Sequence, residues 1–220
     1  MENLSLIIFD CDGVLVDTEA LSNRLLAEIL TGHGLPISYE ECRRRFVGKS
    51  MKSVMAEVEA SLGRALPGDW LAQERERTLA LLAQETKAVP GVRAQILHLR
   101  SRDIPHCVAS SGTIEKMHTT LGCAGLLPLL KDVLFTADMV TNGKPAPDLF
   151  LHAARQMGHA PATCVVIEDS LPGVQAGIAA GMRVLGYAGD PMTDAAGLER
   201  AGAIIFHDMA DLADQIAKVA

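Results

Sequence analysis

No apolar run in this sequence approaches the ~20 residues that a transmembrane helix needs, although hydrophobic residues make up 49% of the 220-residue chain. The first residues, Met1-Glu2-Asn3, carry no basic segment, and Asp10 soon interrupts the apolar run that follows them. We therefore predict a globular protein with no signal peptide and no membrane partner, located in the cytoplasm.

The chain also has no excess of positive charge. The chain has 20 Lys and Arg residues against 27 Asp and Glu residues, for a net charge of -7. Because the affinity of proteins for nucleic acids comes largely from basic side chains that neutralise phosphates, we expect no nucleic-acid partner. A small ligand with one or two phosphates is compatible with this charge.

The five cysteines follow no disulfide or zinc-binding pattern. They are odd in number, far apart and mostly inside apolar runs. This distribution predicts buried thiols in a reducing compartment. The seven histidines are equally scattered, and their spacing is not typical of metal ligands.

An apolar run near the start of the chain ends in two carboxylates and a glycine. The segment LIIFDCDGV occupies residues 6–14. Residues two apart on a strand point the same way, so Asp10 and Asp12 can converge on one site while Cys11 turns toward the core. In α/β proteins, ligands bind beyond the carboxyl ends of the strands. The segment therefore predicts a nucleophile and an acid at such an end.

The predicted secondary structure of the rest of the chain changes near residue 88. Residues 17–87 have helical periodicity, which predicts four helices: one capped by Asp17 or Thr18, one capped by Ser38, and two more over 50–62 and 69–84. Later strands are predicted at 104–109, 133–137, 163–167, 182–187 and 203–206, with helices between them. This alternation indicates βαβ units and a parallel sheet. We predict an α/β core of residues 1–16 and 88–220, with an all-helical domain of residues 17–87 inserted after the first strand.

Three later segments follow the first one in a recognisable order. They are SSGT at 110–113, GKPAPD at 143–148 and EDSLPG at 168–173. Together, the four segments resemble the motifs of the haloacid dehalogenase-like hydrolases, phosphatases and phosphomutases that phosphorylate their own aspartate. The resemblance covers essentially the whole chain and is strongest toward β-phosphoglucomutase and the sugar-phosphate phosphatases. It implies a Rossmann-like core with the helical insertion as a cap.

The resemblance also implies catalytic and metal-binding roles. Asp10 is the expected nucleophile and a ligand of Mg²⁺, the main-chain carbonyl of Asp12 is a second ligand, and Asp169 binds the metal directly. Glu168 binds it directly or through water, and the sequence leaves this open. A cation is expected because a phosphoryl group repels a carboxylate nucleophile. The Asp12 side chain would protonate the leaving oxygen and then deprotonate the attacking water.

A phosphate-binding region is predicted at the ends of the same strands. The Ser110 hydroxyl and the Ser111 amide can donate to phosphate oxygens, and the following helix adds its positive end. Gly112 and Gly13 are predicted to lie beside the substrate. Lys144 offers a fixed positive charge to the nucleophile and the phosphate.

A strongly basic segment lies in the predicted cap, at residues 43–52. By resemblance to β-phosphoglucomutase-like proteins, residues 48–52 form a specificity loop. We accordingly predict substrate contacts from Arg45, Lys49 and Lys52. A solvated helix end is the alternative interpretation of this segment.

These observations predict a magnesium-dependent phosphatase of small phosphorylated metabolites, sugar phosphates in particular, that acts as a monomer or a homodimer. A dehalogenase would need no metal, and the presence of Asp12, Glu168 and Asp169 argues against it. A phospho-accepting receiver domain would place its acidic pair before the phosphorylated Asp and would have no helical insertion. The order is reversed here.

A phosphomutase would use the same site and is the main alternative. β-Phosphoglucomutase-like sequences have a cap His and a cap Lys that help to activate the accepting sugar hydroxyl. Ser22 and Thr78 fall at or near these positions, and neither replaces the missing group well. Arg75 or Arg77 stands near the second position. Water is therefore the predicted acceptor.

Overall fold

The structure is a computed structural model that describes residues 4–46 and 51–219. It divides into two compact units. The larger unit contains the described residues up to Asp17 and from Lys87 onward, and the smaller unit lies within Thr18–Thr86. The predicted domain boundaries, after residue 16 and before residue 88, each lie one residue from this division.

The described residues form eight strands and eleven α-helices. The strands are β1 Leu6–Phe9, β2 Val16–Asp17, β3 Lys87–Ala88, β4 His106–Ser110, β5 Leu134–Thr136, β6 Cys164–Glu168, β7 Arg183–Tyr187 and β8 Ile204–Phe206. The helices are α1 Glu19–Gly32, α2 Tyr39–Phe46, α3 Met51–Leu62, α4 Trp70–Glu85, α5 Val92–Ser101, α6 Ile114–Cys123, α7 Leu127–Leu130, α8 Asp148–Met157, α9 Leu171–Ala179, α10 Ala195–Arg200 and α11 Leu212–Val219.

The larger unit is built on a six-stranded sheet in the order β5-β4-β1-β6-β7-β8, with every pair parallel. Strand β1 lies inside the sheet and is fully buried. Its residues Ile7 and Phe9 belong to one hydrophobic cluster, and Leu6 and Ile8 to a second cluster. Because both faces of the sheet are covered, β1 can be apolar throughout. The predicted Rossmann-like α/β fold is confirmed.

In the described residues of the smaller unit, all four elements of secondary structure are helices, as the periodicity predicts. Helices α1 to α4 enclose a hydrophobic cluster that includes Leu30, Phe46, Val58 and Trp70. The Ser38 hydroxyl accepts a hydrogen bond from the Glu41 amide at 3.2 Å, which confirms the predicted cap of the second helix. No helix in the described chain is both long and apolar enough to span a membrane.

Two features differ from the sequence-based predictions. Strands β2 and β3 form a two-stranded antiparallel ribbon in which Asp17 pairs with Lys87; two residues are too few to show a strand period. The prediction of buried thiols is wrong for Cys123, which is exposed at the end of α6, whereas the other four cysteines are buried. Burial raises the pKa of Cys42 and of Cys164 to about 11.

Candidate active site

The loop after β1 presents the two predicted carboxylates. The Asp10 amide donates to the Ile167 carbonyl at 2.9 Å, which extends the pairing of β1 with β6 by one residue. Cys11 is only 1% exposed, as the strand alternation predicts. Gly13 has a φ of +81°, and its amide donates to the Val16 carbonyl at 2.8 Å. The chain therefore turns sharply immediately after Asp12.

Lys144 is held at the centre of the site. Its ammonium donates to Asp10 Oδ1, to Glu168 Oε1 at 2.7 Å and to the Ala109 carbonyl at 3.0 Å. These three acceptors match the three protons of the ammonium. It also lies 4.8 Å from the centre of the Phe150 ring. Since the side chain is 4% exposed, its charge is fixed beside Asp10.

Glu168 is fully buried at the end of β6, and both of its carboxylate oxygens have donors. Oε1 accepts from Lys144, and Oε2 accepts from the amides of Asp169 and Ser170, each at 3.0 Å, and from the Ser170 hydroxyl at 2.9 Å. A Cβ atom at Gly173 would overlap this carboxyl group. Glu168 thus fixes Lys144 on one side and the start of α9 on the other.

Asp169, the residue after Glu168, lies against the loop that follows β1. A Cβ atom at Gly13 would overlap its Oδ2. Glycine is therefore required at position 13 for two reasons: the positive φ and the space that the Asp169 carboxylate occupies. The structure in this way brings Asp169 to the loop that carries Asp10 and Asp12.

The site has a surplus of negative charge. Burial raises the pKa of Asp10 to about 7, with further contributions from Glu168 and Asp12, while Lys144 acts to lower it. Burial also acts to lower the pKa of Lys144, but the carboxylates of Asp10 and Glu168 outweigh this effect and raise it above its ordinary value. The lysine is therefore charged, and a further cation would stabilise the ionised form of Asp10.

Among residues 4–46 and 51–219, no three acidic, histidine or cysteine side chains are grouped so that they could hold a metal. One reason is that the Lys144 ammonium bridges Asp10 and Glu168, two of the predicted ligands. The predicted set also includes a main-chain oxygen, that of Asp12, rather than a third side chain.

The predicted phosphate-binding segment follows β4. Ser110 is 1% exposed, and its hydroxyl oxygen accepts from the Gly112 amide at 3.0 Å. This bond directs the hydroxyl proton of Ser110 away from Gly112. Ser111 is exposed. Thr113 caps α6 by accepting from the Lys116 amide at 3.3 Å. The segment therefore ends at a helix N-terminus, as predicted.

Lys116 is a site residue that the sequence analysis missed. Its ammonium lies 2.9 Å from Asp12 Oδ1, and its position is the third residue of α6. A cation in the first turn of a helix is unfavourable by on the order of 0.3–1 kcal/mol because it faces the positive end of the helix dipole. That unfavourable position, three residues after Thr113 at the start of a predicted helix, was the available signal.

The predicted cap residues belong to the smaller unit. Arg45 pairs with Glu57 at 2.6 Å, donates to the Ser61 hydroxyl at 2.6 Å and lies over the Phe46 ring. Lys52 is exposed on α3. Lys49 and most of the predicted specificity loop lie outside the described residues. A substrate role for these three basic residues stays a prediction.

The positions that matter for a mutase also lie in the smaller unit. The Thr78 hydroxyl donates to Glu74 Oε1 at 2.8 Å. Arg75 and Arg77, which stand near it in sequence, are exposed. Ser22 lies half-buried on α1.

Comparisons with known proteins identify the family of this chain. Residues 4–181 match the family described as haloacid dehalogenase-like hydrolase. Over 192 residues, the chain is 31% identical to the 6-phosphogluconate phosphatase of Escherichia coli strain K12, covering 87% of this chain and 86% of that protein.

Solved structures show the same fold. A haloacid dehalogenase-family hydrolase from Deinococcus radiodurans R1, with bound phosphate and sodium, has a TM-score of 0.86 and 31% identity, covering 99% of this chain and 97% of that one. A Thermotoga maritima protein provisionally named a β-phosphoglucomutase has a TM-score of 0.82 and 27% identity, covering 98% and 100% of the two chains. The chain belongs to the haloacid dehalogenase-like hydrolases, in the branch that includes β-phosphoglucomutase-like proteins and sugar-phosphate phosphatases.

Proposed function

We propose that this enzyme hydrolyses phosphate monoesters of small metabolites, sugar phosphates in particular, through an aspartyl phosphate formed on Asp10. The observation that carries the proposal is the placement of Asp10: it is buried at the end of β1, and Lys144 holds one of its carboxylate oxygens. The similarity to a phosphatase of 6-phosphogluconate supports the substrate class.

The first half-reaction transfers the phosphoryl group to Asp10. Because Lys144 holds Oδ1, the other oxygen of Asp10 attacks phosphorus, and the bond between phosphorus and the ester oxygen breaks. Asp12, two residues along the loop, gives its proton to that oxygen, which leaves as an alcohol. The products are the aspartyl phosphate on Asp10 and an ionised Asp12.

The second half-reaction restores the enzyme. Water attacks phosphorus, its proton passes to the Asp12 carboxylate, and the bond between phosphorus and the Asp10 oxygen breaks. Inorganic phosphate is released, Asp10 is again a carboxylate, and Asp12 again carries its proton.

Several groups are suited to hold the phosphoryl oxygens. The Ser110 hydroxyl proton is directed away from the Gly112 amide, and the N-terminus of α6 contributes its positive end. Lys144 contributes a fixed positive charge.

Mg²⁺ fits the oxygen donors of this site, because it prefers carboxylate and carbonyl oxygens and because burial, together with the carboxylates of Glu168 and Asp12, raises the pKa of Asp10. We assign the Asp10 carboxylate, the Asp12 carbonyl and the Asp169 carboxylate as its ligands. Glu168, whose two oxygens already have donors, is assigned to fixing Lys144 rather than to direct coordination. When bound, the ion supplies positive charge that offsets the repulsion between Asp10 and the phosphoryl group.

Hydrolysis is favoured over the mutase reaction because the cap offers poor groups for activating a sugar hydroxyl. Thr78 is neutral and donates its proton to Glu74, and Ser22 is a weak base. Water is the acceptor that needs neither group.

The test is phosphate release from a panel of sugar, polyol and short organic acid phosphates, with and without Mg²⁺. Asp10→Asn keeps the shape of the side chain but removes the nucleophile, so we expect kcat to fall by at least about a hundredfold. Removal of the metal should have an effect of similar size. The matched control is Asp132→Asn, which changes an exposed aspartate of the same unit and should leave kcat unchanged.

The same samples separate the competing mechanisms. Acid-quenched wild-type enzyme should carry phosphate on the peptide that contains Asp10, as read by mass spectrometry. An Asp10→Asn variant with more than about a hundredth of the wild-type kcat would contradict covalent catalysis. Conversion of β-glucose 1-phosphate into glucose 6-phosphate faster than phosphate release would establish the mutase reaction instead.

A further inference from the structure

The contact between Lys116 and Asp12 has no part in the mechanism described above. The Lys116 ammonium lies 2.9 Å from Asp12 Oδ1, and the two side chains are 29% and 19% exposed. This is a direct ion pair between a helix residue and the residue assigned to proton transfer. It joins α6, which follows β4, to the loop that follows β1.

Local structure does not account for a lysine at this place. Lys116 lies in the first turn of α6, after the Thr113 cap, where the helix dipole disfavours a cation. Glu115, its neighbour in that turn, has the favourable sign. The ion pair with Asp12 is a contact that compensates this unfavourable position.

Gly112 lies directly beside the pair. A Cβ atom at Gly112 would lie 3.4 Å from Lys116 Cδ, 3.6 Å from Asp12 Oδ2 and 3.3 Å from Ser110 Oγ. These distances place Lys116, Asp12 and Ser110 around Gly112, so that the lysine stem passes along the loop toward Asp12.

We propose that Lys116 is a positioning residue for the second half-reaction, where it holds the Asp12 carboxylate in the place from which it takes a proton from the attacking water. The inference rests on the proposed function. An ammonium pairs best with a carboxylate, which is the form of Asp12 once the alcohol has left. By holding Oδ1, Lys116 restricts rotation of the carboxylate and fixes the direction of the other oxygen.

The proposal predicts that the two half-reactions respond differently to the loss of Lys116. With 4-nitrophenyl phosphate, the leaving group needs no proton, so formation of the aspartyl phosphate depends little on Asp12. Its hydrolysis still depends on Asp12 as a base. Lys116→Met should therefore slow hydrolysis of the aspartyl phosphate by about tenfold, which is part of the effect of a general base, and change its rate of formation by less than about threefold.

Rapid mixing of Mg²⁺-loaded enzyme with 4-nitrophenyl phosphate measures both rates. The burst of nitrophenolate gives the rate of formation, and phosphate release after the burst gives the rate of hydrolysis. In steady state, kcat and KM of Lys116→Met should fall together, so that kcat/KM stays within about threefold of wild type. Lys116→Arg keeps a cation and should restore most of the hydrolysis rate.

Lys131→Met is the matched control, since Lys131 is an exposed lysine of the same unit and should change neither rate. Thermal unfolding of each variant reports whether the fold is intact. We expect Lys116→Met to keep its fold because methionine is a good helix former. If that variant unfolds, the comparison of wild type with Lys116→Arg and Lys116→Gln takes its place.

Equal slowing of both half-reactions, an unchanged hydrolysis rate, or an arginine variant no better than methionine would overturn the role of Lys116. These outcomes differ from failure of the proposed function itself. In that case Asp10→Asn would keep the phosphate release of the wild-type enzyme, whereas failure of the role of Lys116 alone leaves Asp10→Asn inactive.

Discussion

At the scale of single residues, the site is organised by one buried lysine. Lys144 has three acceptors for its three protons, and two of them are the carboxylates of Asp10 and Glu168. A buried ammonium is favourable only when its hydrogen bonds are satisfied in this way. Glu168 is in turn held by the backbone of residues 169 and 170. The position of Asp10, the proposed nucleophile, thus depends on a chain of contacts that ends in main-chain amides.

Gly13 provides a residue-scale prediction about metal binding. In Gly13→Ala, the alanine must adopt a φ of +81°. Its Cβ atom would in addition overlap Asp169 Oδ2. The strained backbone should lower the free energy of unfolding by about 1–2 kcal/mol. Displacement of Asp169 should in addition raise the Mg²⁺ concentration needed for half-maximal activity by about tenfold or more.

Gly158→Ala is a matched control for this experiment. Gly158 has a φ of +79°, and a Cβ atom there would meet nothing within 4 Å. It should therefore show a similar loss of stability with an unchanged Mg²⁺ requirement. Chemical denaturation and Mg²⁺ titrations of activity measure the two effects. If both variants had the same Mg²⁺ requirement as wild type, Asp169 would not be a ligand whose position depends on Gly13.

At the scale of elements, α9 both packs against the sheet and makes room for a residue of the site. Gly173 and Gly177 are one turn apart on this helix. A Cβ atom at Gly173 would overlap the Glu168 carboxyl group, whereas one at Gly177 would lie 2.6 Å from Val184 Cγ2. The first glycine therefore makes room for a residue of the site, and the second allows the helix to lie close to the sheet.

This difference predicts that alanine at Gly177 affects mainly stability, whereas alanine at Gly173 affects mainly activity. Gly177→Ala should lower the free energy of unfolding by about 1 kcal/mol, because overpacking of about 1–3 kcal/mol exceeds the helix-propensity gain of about 1 kcal/mol, while kcat changes little. Gly173→Ala should reduce kcat by about tenfold or more, since Lys144 and Asp10 lose their alignment. Thermal unfolding and steady-state kinetics distinguish the two. A larger loss of kcat in Gly177→Ala than in Gly173→Ala would contradict this assignment.

The sequence was sufficient for the six strands of the parallel sheet, for the four helices of the insertion and for the ends of the strands that carry the motifs. The apolar run before Asp10, the cap at Ser38 and the alternation after residue 88 are local patterns, and local patterns determine helices and strands well. Lys116 and the enclosure of Glu168 were not predicted, because both depend on side chains that meet from distant parts of the chain. Likewise, the pairing of Arg45 with Glu57 is a contact between two helices that the basic segment alone does not reveal.

At the scale of the whole molecule, each unit has a hydrophobic interior of its own. The larger unit has a cluster on each face of its sheet, and the smaller unit has a cluster among its helices. The chain leaves the larger unit after Asp17 and returns at Lys87, and these residues are directly paired in the ribbon of β2 and β3. The insertion therefore begins and ends at adjacent points.

This arrangement predicts that the larger unit folds without the insertion. Replacing residues 18–86 by Asn-Gly joins Asp17 to Lys87 through a two-residue turn, the connection that suits an antiparallel pair. The shortened protein should unfold cooperatively and retain hydrolysis of 4-nitrophenyl phosphate that depends on Mg²⁺ and Asp10. Its selectivity among sugar phosphates should disappear, because the proposed cap would supply the contacts that distinguish them.

Calorimetry measures the cooperativity of unfolding, and kcat/KM across the panel of phosphates measures the selectivity, with the Asp10→Asn form of the shortened protein as control. Unchanged selectivity would show that substrate recognition belongs to the larger unit, and loss of cooperative unfolding would show that its fold depends on the insertion.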